Sequence, residues 1–140
     1  MADIVQLKKA GPLELQQINA LLQQFGDRNT TLALLDAVVS SVDSELWVVM
    51  EAETIIGMTT LVTSRKLDGV FSRIEDVVVD ENHRGKGLGK ALCQRVIDRA
   101  RELGAIKIQL TSRPERVAAN EMYKKLGFEL KQTNVYRMKF

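Results

Sequence analysis

The sequence predicts one mixed α/β domain, and three observations carry that expectation. The chain has 140 residues, near the common size of a single domain. Its middle third is dense in Val, Ile, Trp and Thr and broken by short polar turns, as β-hairpins are. From Gly87 the apolar period becomes helical and then returns to strand at Ile106 to Leu110, a β-α-β crossover that requires two parallel strands.

Ile4 to Lys8 reads as a first strand. Gly11-Pro12 opens a helix with Leu15, Ile18, Leu22 and Phe25 at helical spacing, and Gly26 marks its exit. A second helix is expected over about Thr31 to Ser41, capped by Asn29 or Thr30, with Leu34, Leu35, Val38 and Val39 inward. Both are structural helices that could also line a substrate opening. Glu45 to Glu51 and Ile55 to Thr63 form a hairpin across Ala52-Glu53-Thr54, and Ser72 to Val79 is another strand after the polar Lys66 to Gly69. The long helix carries Leu88, Leu92, Val96, Ala100 and Leu103 on one stripe and stops at Gly104. After Ile106 to Leu110 and a loop with Pro114, a helix over Val117 to Leu126 ends at Gly127. Phe128 to Lys131 and Val135 to Phe140 read as two last strands. The expected sheet is mixed, mostly antiparallel, with six to seven strands and about four helices.

Composition narrows the function. The hydrophobic fraction of 45% and charged fraction of 27% are those of a folded domain. Twenty basic against 18 acidic residues leave a net charge of +2, too little for a general nucleic-acid or membrane surface. Cys93 is the single cysteine, and Met1 to Ala10 lacks a signal pattern, so a reducing, cytoplasmic setting is expected. No apolar run is long enough for a membrane-spanning helix.

The segment Arg84-Gly85-Lys86-Gly87-Leu88-Gly89-Lys90 lies where a strand passes into a helix, a place where backbone N–H groups and the helix dipole favour an anion. A Walker loop would need Gly at position 84 and Ser or Thr at 91, where Arg84 and Ala91 stand. A dinucleotide fingerprint would need Gly at 90, where Lys90 stands, and an acidic residue near Ala105 to Ile108. Both fail, and a ligand-free tight turn is the remaining plain alternative.

Arg84, Gly87 and Gly89 instead match the pyrophosphate motif of the GNAT superfamily of N-acetyltransferases, which the segment resembles. The resemblance extends to Ile74-Glu75-Asp76-Val77-Val78-Val79 before the turn and to Ala119-Asn120-Glu121-Met122-Tyr123-Lys124-Lys125-Leu126-Gly127-Phe128 after it. These blocks look especially like those of glucosamine 6-phosphate N-acetyltransferases, although Glu115 to Met122 is longer than the corresponding stretch there.

The resemblance implies transfer of an acetyl group from acetyl-CoA to an amine, with no metal. It implies that Val77, Val78 and Val79 pair their backbone with the pantetheine arm and polarise the thioester. It also implies that Arg84, Gly85, Lys86, Gly87, Leu88, Gly89 and Lys90 hold the pyrophosphate, that Asn120 touches the cofactor, and that Tyr123 protonates the departing thiolate. The adjacent carboxylates of Glu75 and Asp76 should point to opposite faces of their strand, one of them a base or a holder of the cationic substrate. Glu75 stands slightly ahead. A core Tyr123 and a merely structural Asn120 stay open as alternatives. His83 reads as an exposed loop residue without partners at zinc spacing, Cys93 as a packing residue, and Trp47 and Met58 as core or cleft wall.

The acceptor stays open among small amines, amino sugars and protein amines. A CoA-binding regulatory module without turnover is the main rival. A nucleic-acid binder using Arg113, Arg116, Lys124 and Lys125 lacks interleaved aromatics. A homodimer is expected from the family's habit and from the strand Val135 to Phe140, which could leave an edge in need of cover.

Overall fold

In a computed structural model, which describes residues 2–140, the chain builds one five-stranded sheet with helices on both faces. The elements are β1 (Asp3–Leu7), α1 (Pro12–Gln24), α2 (Leu32–Ser40), β2 (Ser44–Glu51), β3 (Thr54–Lys66), β4 (Gly69–Val79), a single 3-10 turn (Glu81–His83), α3 (Leu88–Glu102), β5 (Lys107–Gln109) and α4 (Val117–Lys125). Strand order follows chain order. The first three pairs are antiparallel, and β4 with β5 is parallel, as the crossover through α3 requires.

The period-2 pattern of β2 divides the core between the two faces. Leu46 and Val48 point to a cluster with Ile18, Leu21, Leu22 and Leu35 of α1 and α2, while Trp47 and Val49 point to a cluster with Leu92, Val96 and Ala100 of α3. Each fully buried side chain of this kind contributes about 1.5–3 kcal/mol of transfer free energy. Glu45 of β2 anchors α3: burial tends to raise its pKa, but the Arg99 guanidinium, bonded to both its oxygens at 2.9–3.1 Å, outweighs this and lowers it.

Two local expectations are corrected. The cap of α2 is Thr31, whose Oγ1 accepts from Leu34 N at 3.2 Å. Thr30 is held instead by the side-chain amide of Asn19 through both its N–H and its carbonyl. Leu34 faces solvent at 60% exposure, because only Leu35 of that helix is turned fully onto the sheet. The polar Lys66 to Gly69 forms the tip of a long β3–β4 hairpin, with Lys66 paired to Gly69.

The largest correction is at the other end of the sheet. Phe128 to Lys131 and Val135 to Phe140 are not strands, so the sheet has five strands and not six or seven. Alternating side chains make a segment fit for a sheet, but a strand exists only when a neighbour takes up its backbone N–H and C=O groups. Among the described residues none does so here.

Candidate active site

The cleft begins as an interruption in strand pairing. β4 pairs with β3 nearly along its length, whereas its pairing with β5 covers only Phe71, Ser72 and Arg73. Beyond Arg73 the two parallel strands part, and the β5-facing edge of Ile74 to Val79 has no strand partner. A cavity of about 330 Å³ lies there, lined by Gln24, Phe25, Val77, Val78, Val79, Arg84 and Arg116.

Pairing with β5 ends where β5 itself ends at Gln109, and a bulge in the β3–β4 ladder follows directly. Met58 pairs with Val78 and Thr60 with Glu75, so Asp76 and Val77 together oppose the single residue Thr59. Asp76 takes a left-handed φ of 56°, and the Thr59 hydroxyl donates to the Glu75 carbonyl at 3.0 Å, closing the irregularity. The bulge also breaks the simple alternation expected for Glu75 and Asp76. Glu75 meets Arg73, two residues back on its own strand, at 2.8 Å. Asp76 meets Arg28 from the α1–α2 loop at 2.6 Å. The end of α1 is clipped to the turn after β4 by Gln24, which donates to Asp80 and accepts from Glu81 N. The Gln24 bond, followed by the one from His83, lowers the Asp80 pKa. His83 is therefore not a free loop residue: its Nδ1 lies 2.7 Å from Asp80 and its Nε2 3.4 Å from Glu51, and its side chain is 22% exposed.

At the cleft's far end the chain turns into α3. Gly87 caps the helix in the left-handed region at φ 79°, and Gly85 has φ 81°. A Cβ at either would meet no other part of the protein within 4 Å, so the space beside both glycines is open. Gly89 differs: a Cβ there would make ordinary contacts with Met122 Sδ at 3.6 Å and Val79 Cγ2 at 3.7 Å, so α3, β4 and α4 come together around it. Arg84 reaches back, its Nε donating to the Val79 carbonyl at 3.1 Å, which sets its guanidinium in the cleft wall. Lys86 and Lys90 are exposed and outside any ion pair among the described residues. Leu88 is partly buried against the α3 cluster.

Tyr123 comes from α4. It is partly buried, its ring meets Phe128 edge to face at 6.0 Å, and its hydroxyl has no hydrogen-bond partner among the described residues. Burial pushes its pKa from 10.0 to about 12, with Cys93 adding to the rise and Arg116 opposing it. The phenol thus keeps its proton throughout the neutral range and is available as a donor there. Cys93 is fully buried, and burial raises its thiol to about 11, which suits packing and not nucleophilic attack. Asn120 does not point at the cleft: its amide donates to the carbonyls of Arg113 at 2.9 Å and Arg116 at 2.8 Å, bracing the turn into α4.

Sequence reasoning passed over the opposite wall. The Arg116 guanidinium lies 3.7 Å from the Phe25 ring centroid, so α4's first turn and the end of α1 touch across the cleft mouth. Phe25 carried only a helical-period signal and Arg116 only a local basic cluster. Neither pattern tells that they meet.

The comparisons agree with this geometry. The sequence model described as the acetyltransferase (GNAT) family matches residues 14–128. The chain is 32% identical over 117 residues to GCN5-related N-acetyltransferase 1, chloroplastic, of Arabidopsis thaliana, covering 83% of this chain and 56% of that protein. It is 32% identical over 119 residues to a probable glucosamine 6-phosphate N-acetyltransferase of Drosophila melanogaster, covering 80% and 53%. The chain thus spans little more than half the length of these curated relatives. Among solved structures, an acetyltransferase of Trypanosoma brucei superposes with a TM-score of 0.83 at 25% identity over the whole of both chains. A family match over most of the chain, together with a parted β4–β5 pair that leads into a glycine-capped helix, places this protein in the acetyltransferase (GNAT) family.

Proposed function

We propose that the protein transfers an acetyl group from acetyl-CoA to a primary amine by direct attack in a ternary complex. The observation that carries the reading is the unpaired edge of Ile74 to Val79, which opens on a cavity ending at the bare N-terminus of α3. An extended amide-bearing arm can pair with the N–H and C=O groups of Val77, Val78 and Val79 as a missing strand would. The pyrophosphate then falls to the N–H groups around Gly85, Lys86, Gly87, Leu88 and Gly89, with Arg84 and Lys90 adding charge. The open space before Gly85 and Gly87 fits such a group.

In the reaction the amine nitrogen attacks the thioester carbonyl, a C–N bond forms, the C–S bond breaks, and the thiolate takes up a proton. A backbone N–H of Val77 to Val79 stabilises the oxyanion. Tyr123 donates to the departing sulfur. Its raised pKa keeps it protonated, so its contribution is a hydrogen bond that strengthens as the thiolate develops. Either carboxylate receives the ammonium proton through water: Asp76 is paired to Arg28, which lies over Phe25 of the cleft lining, and Glu75 to Arg73. Asn120 supports the site by shaping the turn that presents Arg116.

The acceptor belongs among small amines, amino sugars and protein amines, and the Drosophila relative's name puts amino sugars first in a screen. We place the protein in the cytoplasm on its buried free thiol, and read it as a homodimer. No helix among the described residues is long and apolar enough to cross a membrane. Release of free CoA, followed across an amine panel that includes glucosamine 6-phosphate, tests the reading. Calorimetric failure to bind acetyl-CoA or CoA at low salt would remove it.

A further inference from the structure

Two charged residues line the cavity beside the free edge of β4, Arg84 and Arg116, and both are cations. Arg84 leads into the glycine turn, and its Nε is already engaged by the Val79 carbonyl at 3.1 Å. Arg116 stands at the start of α4 on the opposite wall, its guanidinium 3.7 Å from the centroid of the Phe25 ring at the end of α1. At that distance the cation lies in contact with the ring face. Such a contact covers the flat side of a guanidinium and leaves its edge of N–H donors free, the edge whose fork matches a carboxylate or a phosphate.

The chain itself supplies no anion to that edge. Arg116 forms no ion pair among the described residues, and its hydrogen bonds are backbone ones, from its N–H to Arg113 and from Asn120 to its carbonyl. The carboxylates around the cleft are already matched. Asp76 meets Arg28, the second guanidinium over Phe25, at 2.6 Å, Glu75 meets Arg73 at 2.8 Å, and Asp80 is shared by Gln24 and His83. A lone charged group in the wall of a small-molecule cleft is the kind of group that fixes which ligand enters and how it lies. The position is also close to the chemistry: the Arg116 charge opposes the rise of the Tyr123 pKa, so its field reaches the phenol assigned to the departing sulfur. Partly exposed charges act over roughly 10 Å, so an anion on Arg116 and an amine at the thioester fit within one small molecule.

We infer that Arg116 is a specificity-determining residue that binds an anionic group of the acceptor, so that the acceptor is a small amine bearing a carboxylate or a phosphate and not a polycation. The inference rests on the proposed acetyl transfer and narrows its acceptor. A polycationic amine needs carboxylates free to meet it, and here Glu75, Asp76 and Asp80 are each occupied. A lysine side chain of a protein brings no anion at a fixed distance from its amine. An amino acid or a phosphorylated amino sugar does, and the Phe25 ring holds the guanidinium flat to receive it.

Calorimetry on the protein saturated with CoA, where no transfer can occur, tests this with amines matched in pairs: glucosamine 6-phosphate against glucosamine, and serine against serinamide. The anionic member of at least one pair should bind at least about tenfold more tightly, and the pair that shows it tells phosphate from carboxylate. Arg116→Gln should abolish that preference by weakening the anionic member alone, with CoA affinity within about threefold of the parent and unchanged circular dichroism. Arg116→Lys, which keeps the charge and loses the fork, should retain an intermediate preference. Equal binding within both pairs, a preference that survives in Arg116→Gln, or spermidine bound as tightly as the anionic amines would overturn the inference. A fall in CoA affinity of about tenfold or more in Arg116→Gln would give the residue to the cofactor and overturn it as well. Release of CoA from acetyl-CoA is followed separately. An anion preference carried by Arg116 without any release would keep the anion site and remove the transfer reading.

Discussion

The sheet from β1 to β4 and the region from β5 onward are built on opposite plans. In the first, strands of 5 to 13 residues pair along their lengths, and both faces are covered by helices with fully buried side chains. In the second, the only strand has three residues, and α4 buries no side chain completely. The cleft lies on the line between them. Dense pairing holds β4 in place from one side, and sparse pairing leaves its other edge free for a ligand.

Cutting into the dense half should produce the largest loss. Leu92→Ala removes a fully buried side chain between α3 and the sheet, and should cost about 2–5 kcal/mol in urea denaturation. A loss below 1 kcal/mol would mean that α3 is not seated as described. Gly87→Val strikes the boundary. At φ 79° a β-branched residue is strained, and its side chain enters the space before the helix N-terminus. Acetyl-CoA affinity should fall at least about 100-fold in calorimetry, about 2.7 kcal/mol. Unchanged affinity in the folded variant would separate the turn from phosphate binding.

Tyr123→Phe asks whether the sparse half supplies chemistry or only a wall. The ring against Phe128 is kept and the donor is lost, so kcat should drop toward the lower end of the roughly 10²- to 10⁴-fold range, with acetyl-CoA binding nearly intact. A kcat within about threefold of the parent would make Tyr123 a packing residue. Alkali should loosen the boundary next. Cys93 and Tyr123 both have raised pKa values in the folded chain, so above about pH 9 for the thiol and pH 10 for the phenol the unfolded chain loses protons that the folded chain keeps. Stability should be level below pH 9 and fall through pH 11–12, and Cys93→Ala should start the fall about one unit later. A stability flat to pH 11 would contradict the burial of both groups. The smallest effect belongs to α4's surface: Val117→Ala, at a 66% exposed position, should stay within about 0.5 kcal/mol.

How legible the molecule was followed the range of the interactions involved. Helix periods in α1 and α3, the Ala52-Glu53-Thr54 turn, the helix start at Gly87 and the crossover between β4 and β5 all rest on neighbours within a few residues or on one topological rule. The pairing of Arg28 with Asp76, and of Arg116 with Phe25, joins residues 48 and 91 positions apart, and no local pattern encodes it. The bulge was equally hidden, since Glu75-Asp76-Val77 reads as an unbroken strand until Thr59 is seen to face two residues at once.

The sequence by itself determined the class of the fold, the parallel pair and the glycine-capped helix start, because φ preferences, apolar period and chain connectivity act along the chain and need no partner to be read. Only the tertiary structure decided where β4 and β5 part, which arginine each of Glu75 and Asp76 meets and whether Val135 to Phe140 becomes a strand. Each of these depends on which distant backbone or side chain arrives to satisfy a hydrogen bond or a charge. A strand-like pattern without such a partner stays an unpaired segment, as those residues show.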